Sequence, residues 1–417
     1  MQRSDVVIIG AGQAGLAMSY CLRQLGIDHV LLERGGVAER WRSEAWDSLR
    51  LLTPNWMTRL PGATFAGQDP DGFMPARALA DHLGAYAASF GAPVACATAV
   101  ESVRLTNGGY HVTTSGGEWR ARAVVIATGD CQRPLIPPIA RGLPPDVLQM
   151  SPAGYRNPAA LPAGDVLVVG ASASGVQIAD EIRACGREVV LAVGRHTRVP
   201  RRYRDHDIMA WMDSVGILAR RAETVPDLAR ARRQPSLQLL GGPDGRAVDL
   251  PALRARGVRL AGRVAAIDGR SIHFADDLAA TTREADAKME RLLAAIDRFA
   301  APVVGALAGA RAAAERPASS VVEQPTRRVE AGPGGIRTVI WATGYRRDYP
   351  WLDVPVRDPH GEIAHAGGIT PAPGLYVLGL RFLRRRNSSF IDGVGRDAEE
   401  IGDHIALHLR LRRRFAA

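Results

Sequence analysis

The sequence predicts an α/β fold in which one nucleotide-binding unit is inserted within another. An apolar stretch over residues 5–9 runs directly into a glycine-rich turn at residues 10–15, and the same order recurs at residues 165–175. A third observation is the sequence Ala-Thr-Gly, which ends an apolar stretch at residues 127–129 and again at residues 342–344. With 417 residues, the chain is long enough for two or three domains.

The first unit begins as a strand, a helix and a second strand. Residues 5–9 are apolar and rich in β-branched side chains, which is typical of a strand buried on both faces. A helical stretch over residues 14–25 ends at a glycine, and residues 29–33 form the second strand. Parallel strands need such a crossover helix, so these elements predict a βαβ unit. Residues 78–90 are helical by pattern, and residues 94–125 form short strands separated by glycine-rich turns.

The second unit follows a proline-rich passage at residues 134–162 and repeats the opening pattern. Residues 165–169 form a strand, residues 176–184 a helix and residues 188–193 a second strand. Residues from about 225 to 335 contain a long alanine-rich helical region and no recognisable motif. One more buried strand and a C-terminal helix close the chain. The sequence therefore predicts two Rossmann-like dinucleotide-binding domains, the second inserted into the first.

Composition narrows the class of protein. Hydrophobic residues make up 46% of the chain and charged residues 23%, an ordinary balance that excludes a disordered or fibrous protein. Lys and Arg total 53 against 43 Asp and Glu, so the formal net charge is +10 and anionic partners are favoured. The arginine runs at residues 384–386 and 412–414 lack interleaved aromatic residues, so we expect no nucleic-acid binding.

We expect neither a membrane span nor a metal site. The longest apolar run, at residues 299–310, is too short to cross a bilayer and contains Pro302. An apolar strand begins after the first few residues, which leaves no room for a signal peptide and favours a cytoplasmic protein. The cysteines are too widely spread for a CxxC pair or a zinc cluster, and we expect them to be buried thiols: Cys21, Cys96, Cys131 and Cys185.

The first glycine turn has the spacing of a dinucleotide fingerprint. Gly10 makes the tight turn, Gly12 lets a pyrophosphate approach the backbone, and Gly15 permits close packing of helix and strand. The helix start offers free N–H groups and partial positive charge to the phosphates. Glu33, at the end of the next strand, is placed to bind ribose hydroxyls.

The second turn, at residues 170–175, has Ser172 in place of the middle glycine, and its hydroxyl can donate to the same phosphate. The strand that follows ends without a carboxylate in the ribose position. Arg195 and Arg198 come instead, and they would attract the 2′-phosphate that a carboxylate would repel. We therefore predict NADPH rather than NADH; the alternative is that both arginines are simply solvated.

Two dinucleotide sites in one chain need a hydride acceptor beside the nicotinamide, so one cofactor should be a flavin. The first site, with its ribose-binding acid, suits FAD. The predicted FAD-binding domain therefore comprises residues 1–157 and 336–417. The predicted NADPH-binding domain comprises residues 163–335, with a helical insertion over about 225–335.

These residues resemble the flavin-containing monooxygenases, the single-component class B flavoproteins, and specifically their shorter bacterial members. The resemblance rests on both glycine turns, the segment at residues 48–54, and the sequence Trp-Ala-Thr-Gly-Tyr at residues 341–345. It implies FAD contacts at Gly10, Gly12, Gln13, Gly15, Glu33, Arg34, Arg40, Trp41, Thr53, Val100, Thr128 and Gly129. It implies NADPH contacts at Gly170, Ser172, Ser174, Gly175, Arg195, His196 and Arg198.

The resemblance also implies an activity. NADPH would reduce the flavin, a C4a-(hydro)peroxyflavin would form with O2, and one oxygen atom would pass to a nitrogen, sulfur or carbonyl centre of a small molecule. Ser151 stands where the linker fingerprint of the family has a histidine, so the type of oxidation stays open. No catalytic side chain is identified; Asn55 is a weak candidate, and a turn role beside Pro54 is an equal alternative.

Two other functions stay open. A reductase could pass electrons to a disulfide or a protein partner with the same architecture, although disulfide reduction normally needs paired cysteines. A second alternative is a redox sensor that binds FAD without turnover, because a fold does not by itself give a function. The partners expected are a small-molecule substrate and O2, with no nucleic acid and no membrane, and a homodimer is an open option.

Overall fold

A computed structural model describes residues 1–242, 245–306 and 316–415. The strands of the first part of the chain are β1 (Gln2–Ile9), β2 (His29–Leu32), β3 (Val94–Ala95), β4 (Val100–Thr106), β5 (Gly109–Thr114), β6 (Gly117–Ile126), β7 (Arg133–Pro134) and β8 (Leu148–Met150). The middle part contributes β9 (Asp165–Val169), β10 (Val189–Ala192), β11 (Thr197–Arg198), β12 (Arg202–Tyr203), β13 (His206–Asp207), β14 (Leu237–Gln238), β15 (Arg259–Ala261), β16 (Val264–Asp268) and β17 (Ser271–Phe274). The last part adds β18 (Arg328–Glu330), β19 (Ile336–Trp341), β20 (Tyr345–Arg346), β21 (Leu352–Asp353) and β22 (Leu375–Val377).

The helices alternate with these strands. They are α1 (Gln13–Gln24), α2 (Glu39–Ser43), α3 (Ala76–Ser89), α4 (Ala173–Ala184), α5 (Ile208–Ser214), α6 (Leu228–Arg232), α7 (Leu250–Ala255), α8 (Leu278–Ala306) and α9 (Ile391–Phe415). The predicted alanine-rich helical region agrees with α8 up to Ala306. Its last residues, 307–315, lie outside the described part of the chain.

The first sheet combines both ends of the chain. Its order is β21-β4-β5-β6-β1-β2-β3, with β22 paired to β6. Strands β1, β2, β3 and β22 run parallel to their neighbours, whereas β4, β5 and β6 form an antiparallel meander. Helix α9 packs against α1 and buries Val394, Ile401 and Ile405 completely. The first unit is therefore closed by the last 40 or so residues of the chain.

The second sheet is parallel throughout, in the order β15-β10-β9-β19-β8. The two sheets confirm the predicted α/β fold of two Rossmann-like units, one inserted into the other. Strands β8 and β19 pair in the second sheet, although the predicted boundaries assign them to the FAD-binding parts. The domain limits stay a prediction, with the second unit extended to include these two strands.

An apolar cluster joins the two units. Met57, from the first unit, is packed with Leu218 and with residues of α5 and α8, among them Met212 and Leu293. Helix α8 therefore covers the junction rather than standing apart as a separate insertion.

Two sequence expectations have a structural outcome here. Cys21 is buried, but Cys96 and Cys185 are exposed, so the expectation of buried thiols is wrong for these two. Both lie just beyond the end of a strand or helix, where the chain returns to the surface. In the described ranges, no helix is both long enough and apolar enough to cross a membrane.

Candidate functional site

The first glycine turn lies at the carboxyl edge of the first sheet. Gly10 has φ +103°, and a Cβ added there would lie 2.8 Å from the Ala127 carbonyl oxygen at the end of β6. A Cβ at Gly15 would lie 1.9 Å from the Gly10 carbonyl oxygen, so helix α1 packs directly on the turn. Gly12, by contrast, has no atom within 4 Å of an added Cβ. Backbone atoms therefore pack closely against the turn at Gly10 and Gly15, whereas the turn is open at Gly12. This open space fits the approach of a pyrophosphate.

Glu33 is fixed beside this turn. It is 8% exposed, and its Oε2 accepts a hydrogen bond of 2.8 Å from the Ala11 backbone N–H. Its Oε1 accepts from the Gly35 N–H at 3.1 Å. Two backbone donors therefore hold the carboxylate at the open side of the turn, with lone pairs left for ligand hydroxyls.

The other residues expected to bind FAD surround this edge at different depths. Arg40 pairs with Glu44 at 2.8 Å, and its Cζ lies 5.1 Å from the centre of the Tyr345 ring. Arg34 is largely exposed and lies 3.4 Å from the same Glu44. The Thr128 hydroxyl accepts a 2.7 Å hydrogen bond from Gln132.

The remaining predicted residues of this site lie on several different elements of the fold. Gln13 begins α1, Trp41 packs on the first core, and Val100 begins β4. Gly129, directly after the end of β6, has φ +75°. Thr53 follows Leu52, whose carbonyl oxygen accepts a 2.8 Å hydrogen bond from Arg201 of the second unit, so Thr53 lies where the units meet.

The second glycine turn repeats the geometry of the first. A Cβ at Gly170 would lie 2.3 Å from the Ala342 carbonyl oxygen, and one at Gly175 would lie 1.8 Å from the Gly170 oxygen. Ser172 occupies the N-cap position of α4, yet its side chain makes no capping hydrogen bond. The turn rests on β19 as the first turn rests on β6. Ser172 and Ser174, at the start of α4, stay the predicted contacts of a second dinucleotide.

Two glutamines support this second turn, and sequence reasoning missed both. Gln238 donates a 2.7 Å hydrogen bond to the Ala171 carbonyl oxygen, and Gln177 donates one of 2.8 Å to that of Leu239. They fasten strand β14 against the turn. Gln238 belongs to no motif and lies 67 residues from Ala171, so no local signal identifies it.

Arg198 differs from its sequence prediction. Its side chain is 1% exposed, and its Nε and Nη2 donate to Asp249 Oδ2 at 3.0 and 2.8 Å. Its Nη1 donates to Asp286 Oδ1 at 2.7 Å. All three nitrogen atoms of the guanidinium donate to these two carboxylates, so the assignment of Arg198 to a cofactor phosphate is corrected to a buried ion pair.

The neighbours of Arg198 have opposite exposures. Arg195 is exposed at the end of β10 and remains the predicted ligand of a 2′-phosphate. His196 is 2% exposed, its Nδ1 lies 3.0 Å from the Gly194 carbonyl oxygen, and burial lowers its pKa. A neutral, buried imidazole adds no positive charge for a phosphate.

Asn55 lies in a short 3₁₀ turn that begins after Pro54. Its Nδ2 donates to the Asp69 carbonyl oxygen at 2.9 Å, and its backbone N–H donates to Gly72 at 2.8 Å. These bonds show that Asn55 supports the turn and the loop at residues 69–72. A catalytic role for it stays a prediction.

An ion-pair network at the carboxyl edge of β6 was also missed. Asp130 binds Arg347 through one oxygen and accepts from the Arg381 backbone N–H at 3.2 Å through the other. Arg347 also binds Glu362 at 2.6 Å. The sequence does point to Asp130, because it directly follows the Ala-Thr-Gly motif. Its partners lie more than 200 residues away, so the sequence does not predict the network.

Comparisons with known proteins agree with this geometry. A family model described as pyridine nucleotide-disulphide oxidoreductase matches residues 7–214. The chain is 33% identical to an uncharacterized CzcO-like oxidoreductase of Geobacillus kaustophilus, over 97% of this chain and 99% of that protein. It is also 33% identical to the probable indole-3-pyruvate monooxygenase YUCCA9 of Arabidopsis thaliana, over 41% of this chain and 42% of that one.

The fold has a solved counterpart. A flavin-containing monooxygenase from Stenotrophomonas maltophilia superposes with a TM-score of 0.68 at 21% identity, covering 98% of this chain and all of the other. The two glycine turns fit FAD and NADPH, the cofactors of the flavin-containing monooxygenases. The resemblance carried by the sequence motifs is confirmed, and the chain belongs to the CzcO-like oxidoreductases.

Proposed function

We propose that the protein is an NADPH-dependent flavin monooxygenase that oxidises a nitrogen, sulfur or carbonyl centre of a small molecule. One observation carries the proposal: each of the two sheets ends in a glycine turn that opens a helix, and the first turn has the carboxylate of Glu33 bound beside it, whereas the exposed Arg195 follows the second strand of the other unit. FAD is assigned to the first site and NADPH to the second. When bound, FAD would supply the activation of O2 and NADPH the reducing hydride.

The residues of the chain have binding and shielding roles in this proposal. The turn at residues 10–15 and Glu33 hold FAD, whereas the turn at residues 170–175 and Arg195 hold NADPH. The apolar cluster around Met57 and Leu218 keeps water from the junction between the units. Exclusion of water protects oxygen transfer from wasteful side reactions.

The cysteines favour this function over a disulfide reductase. All four lie in described segments, and all are free. Cys131 is the one beside the first site, and burial raises the pKa of its thiol, so it stays protonated. A protonated thiol without a partner is a poor redox centre.

Oxygen transfer can be tested directly. The FAD-loaded protein is mixed with NADPH, isotope-labelled O2 and three probes: thioanisole, dimethylaniline and cyclohexanone. We expect the label in the product of at least one probe, with NADPH consumed in step.

Two results would contradict the proposal. Reduction of oxidised glutathione at the expense of NADPH, with no label in the product of any probe, would favour the reductase. Tight FAD binding without any NADPH oxidation would favour the redox sensor.

A further inference from the structure

The two glycine turns are held in different ways. In the first turn, the Ala11 carbonyl oxygen accepts a hydrogen bond of 3.1 Å from the Ala38 backbone N–H. In the second turn, Ala171 occupies the same position, and its carbonyl oxygen accepts a bond of 2.7 Å from Nε2 of the Gln238 side chain. A backbone N–H is present at every residue except proline, whereas the second donor is lost when residue 238 changes. The second turn therefore depends on the identity of a single side chain.

Gln238 is buried at a cost. It is 1% exposed, and its Oε1 has no hydrogen-bond partner in the described part of the chain. An unpaired buried acceptor costs free energy, which an apolar side chain of similar size would not incur. Such an exception among buried polar groups calls for an explanation. The hydrogen bond from Nε2 to the second turn supplies one, because an apolar side chain cannot make it.

Gln238 belongs to a bridging segment, residues 237–241, whose backbone is held from two sides. Strand β14 pairs with β11 in a register that places Gln238 opposite Arg198, and the Arg198 side chain is fixed by its buried ion pairs. From α4, Gln177 donates a hydrogen bond of 2.8 Å to the Leu239 carbonyl oxygen. The Gln238 amide therefore reaches the second turn from a firmly held backbone.

The bridging segment also contacts the first unit. A Cβ added at Gly241 would lie 1.9 Å from the Leu51 carbonyl oxygen and 2.9 Å from the Phe73 Cβ, so the two backbones approach closely there. Beside this contact, Arg201 donates a hydrogen bond of 2.8 Å to the Leu52 carbonyl oxygen, and its Cζ lies 4.7 Å from the centre of the Phe73 ring. One short segment thus touches both the second turn and the first unit.

The separation of the two turns matters for a reaction between their ligands. The turns belong to different sheets, so contacts between the units set this separation. Thr53, a predicted FAD contact, directly follows the residues that Gly241 and Arg201 touch. Hydride transfer needs reacting atoms about 3–3.5 Å apart, and a displacement of about 1 Å can lower the rate about 100-fold. A segment that joins the second turn to the neighbours of Thr53 can therefore control the rate.

We propose that Gln238 is a positioning residue for hydride transfer from NADPH to FAD. Through its hydrogen bond to Ala171, the bridging segment fixes the second turn relative to the first unit, and Gln238 itself touches neither cofactor. The hydride carries two electrons, so the step leaves NADP⁺ and reduced FAD. This inference rests on the proposed function in one respect, because it takes the first turn as the FAD site and the second as the NADPH site.

The test uses the full-length, FAD-loaded protein without O2. Calorimetry gives the dissociation constant of NADP⁺, the visible difference spectrum at saturating NADP⁺ shows how closely it approaches the flavin, and stopped-flow absorbance gives the limiting rate constant of flavin reduction by NADPH. Gln238→Leu should lower this rate constant at least about tenfold and weaken the difference spectrum, because the turn is displaced. The dissociation constant of NADP⁺ should stay within about threefold of that of the unmodified protein, since no cofactor contact is lost.

Gln238→Glu provides a rescue experiment. Its side chain has the same shape, but only the protonated carboxyl group can donate a hydrogen bond to the Ala171 carbonyl oxygen. Burial raises the pKa of a carboxyl group, so protonation should occur near pH 6. Relative to the unmodified protein at each pH, we expect this variant to be slow at pH 8 and to recover at pH 6. Gln238→Leu should not recover.

Two further variants test the bridge and the substitution itself. Gly241→Ala should also lower the limiting rate constant with the NADP⁺ affinity retained, because its Cβ forces the segment away from Leu51. The control is Gln149→Leu, which makes the same substitution in the same unit at the exposed edge strand β8 and should leave the rate constant and the difference spectrum unchanged. Flavin absorbance and melting temperature verify the fold of each variant. Should Gln238→Leu fail to fold, the pH dependence of Gln238→Glu decides.

Each other outcome overturns the proposal. An unchanged rate constant in Gln238→Leu would show that this side chain does not position the turn. A tenfold loss of NADP⁺ affinity with the limiting rate constant intact would assign Gln238 to binding alone. A Gln238→Glu variant that is equally slow at both pH values would show that the donor to Ala171 is not what matters. A flavin spectrum that does not respond to NADP⁺ in the unmodified protein would leave the bridging segment nothing to align.

These measurements exclude O2, so they are independent of the oxygen-transfer experiment. Absence of oxygen transfer with the effects of Gln238 intact would contradict only the monooxygenase assignment. Oxygen transfer with a Gln238→Leu variant that is reduced as fast as the unmodified protein would contradict only the positioning role.

Discussion

Arg195 and Arg198 lie three residues apart but in opposite surroundings. Arg195 is exposed at the carboxyl end of β10, whereas Arg198 is held by Asp249 and Asp286. A single arginine therefore carries the predicted preference for NADPH. The other ties α7 and α8 to β11 through Asp249 at the start of α7 and Asp286 within α8.

Substitution of each arginine by glutamine should separate these roles. Arg195→Gln should raise the KM for NADPH about tenfold and leave that for NADH and the melting temperature unchanged, since one phosphate contact is lost. Arg198→Gln leaves two buried carboxylates without their cation and should lower the free energy of unfolding by about 3 kcal/mol. Steady-state kinetics measure the KM values of the two variants, and urea unfolding measures their free energies of unfolding. Equal effects of the two variants on the KM for NADPH would contradict the assignment.

The position of Arg198 shows a distinction that the sequence alone could not predict, namely which of the two arginines is already paired within the protein. A cation after the second strand of a dinucleotide unit is typical of NADPH binding, and the pattern names both arginines equally. The distinction depends on Asp249 and Asp286, which are 51 and 88 residues away. Only the folded chain brings them to Arg198.

His365 gives a prediction for the effect of pH. Burial, with the nearby guanidinium groups of Arg232 and Arg347, lowers its pKa to about 4 from an ordinary 6.5. Between these values the unfolded chain binds a proton that the folded chain does not. The free energy of unfolding should therefore fall as the pH is lowered from about 6.5 to about 4.

The variant His365→Asn keeps an acceptor for the Gly368 N–H, which lies 3.3 Å from the imidazole Nδ1, but does not titrate. We expect urea midpoints of this variant to depend less on pH over that window. The matched control is His360→Asn, because His360 is exposed. A variant as pH-dependent as the unmodified protein would contradict a role for His365.

At the scale of elements, the glycine turns were predictable because their signals are local. Strand, three glycines and helix follow one another within 25 residues, and the acid follows on the next strand. Their function depends on backbone geometry, which glycine spacing encodes directly. The short strands β11 and β14, by contrast, pair across about 40 residues and have no periodicity to detect.

Gly12 and Gly15 should respond differently to a single added methyl group. Gly15→Ala places a Cβ 1.9 Å from a backbone oxygen, so α1 must shift and the protein should lose stability. Gly12→Ala meets no atom within 4 Å and should leave the melting temperature of the FAD-free protein unchanged. The methyl group instead obstructs the pyrophosphate, so FAD affinity should fall at least about tenfold, as measured by fluorescence titration.

The control for this pair is the second turn. Gly175→Ala should destabilise the protein as Gly15→Ala does, since its Cβ would lie 1.8 Å from a backbone oxygen. FAD affinity unchanged in Gly12→Ala would show that the flavin does not lie against this turn.

At the scale of the whole molecule, the insertion makes the two units unequal. The first sheet needs both ends of the chain, since β22 pairs with β6 and α9 packs on α1. The strands of the second sheet, by contrast, all come from one continuous stretch of the chain, from β8 to β19. The repeated motif predicted that one unit is inserted into the other. It could not fix the domain limits, because Ala-Thr-Gly follows a strand in each sheet and does not indicate to which sheet that strand belongs.

Those limits decide which fragment folds. Residues 163–335, the predicted NADPH-binding domain, lack β19, which lies between β9 and β8 and whose Val339 and Ile340 are fully buried. Without it one flank of β9 loses its hydrogen bonds and its apolar cover, so this fragment should aggregate or stay unfolded. Residues 137–346 restore both strands and should unfold cooperatively and bind NADP⁺, as followed by circular dichroism and calorimetry. Cooperative unfolding and equal NADP⁺ affinity of the shorter fragment would show that β19 is not an essential part of the second unit.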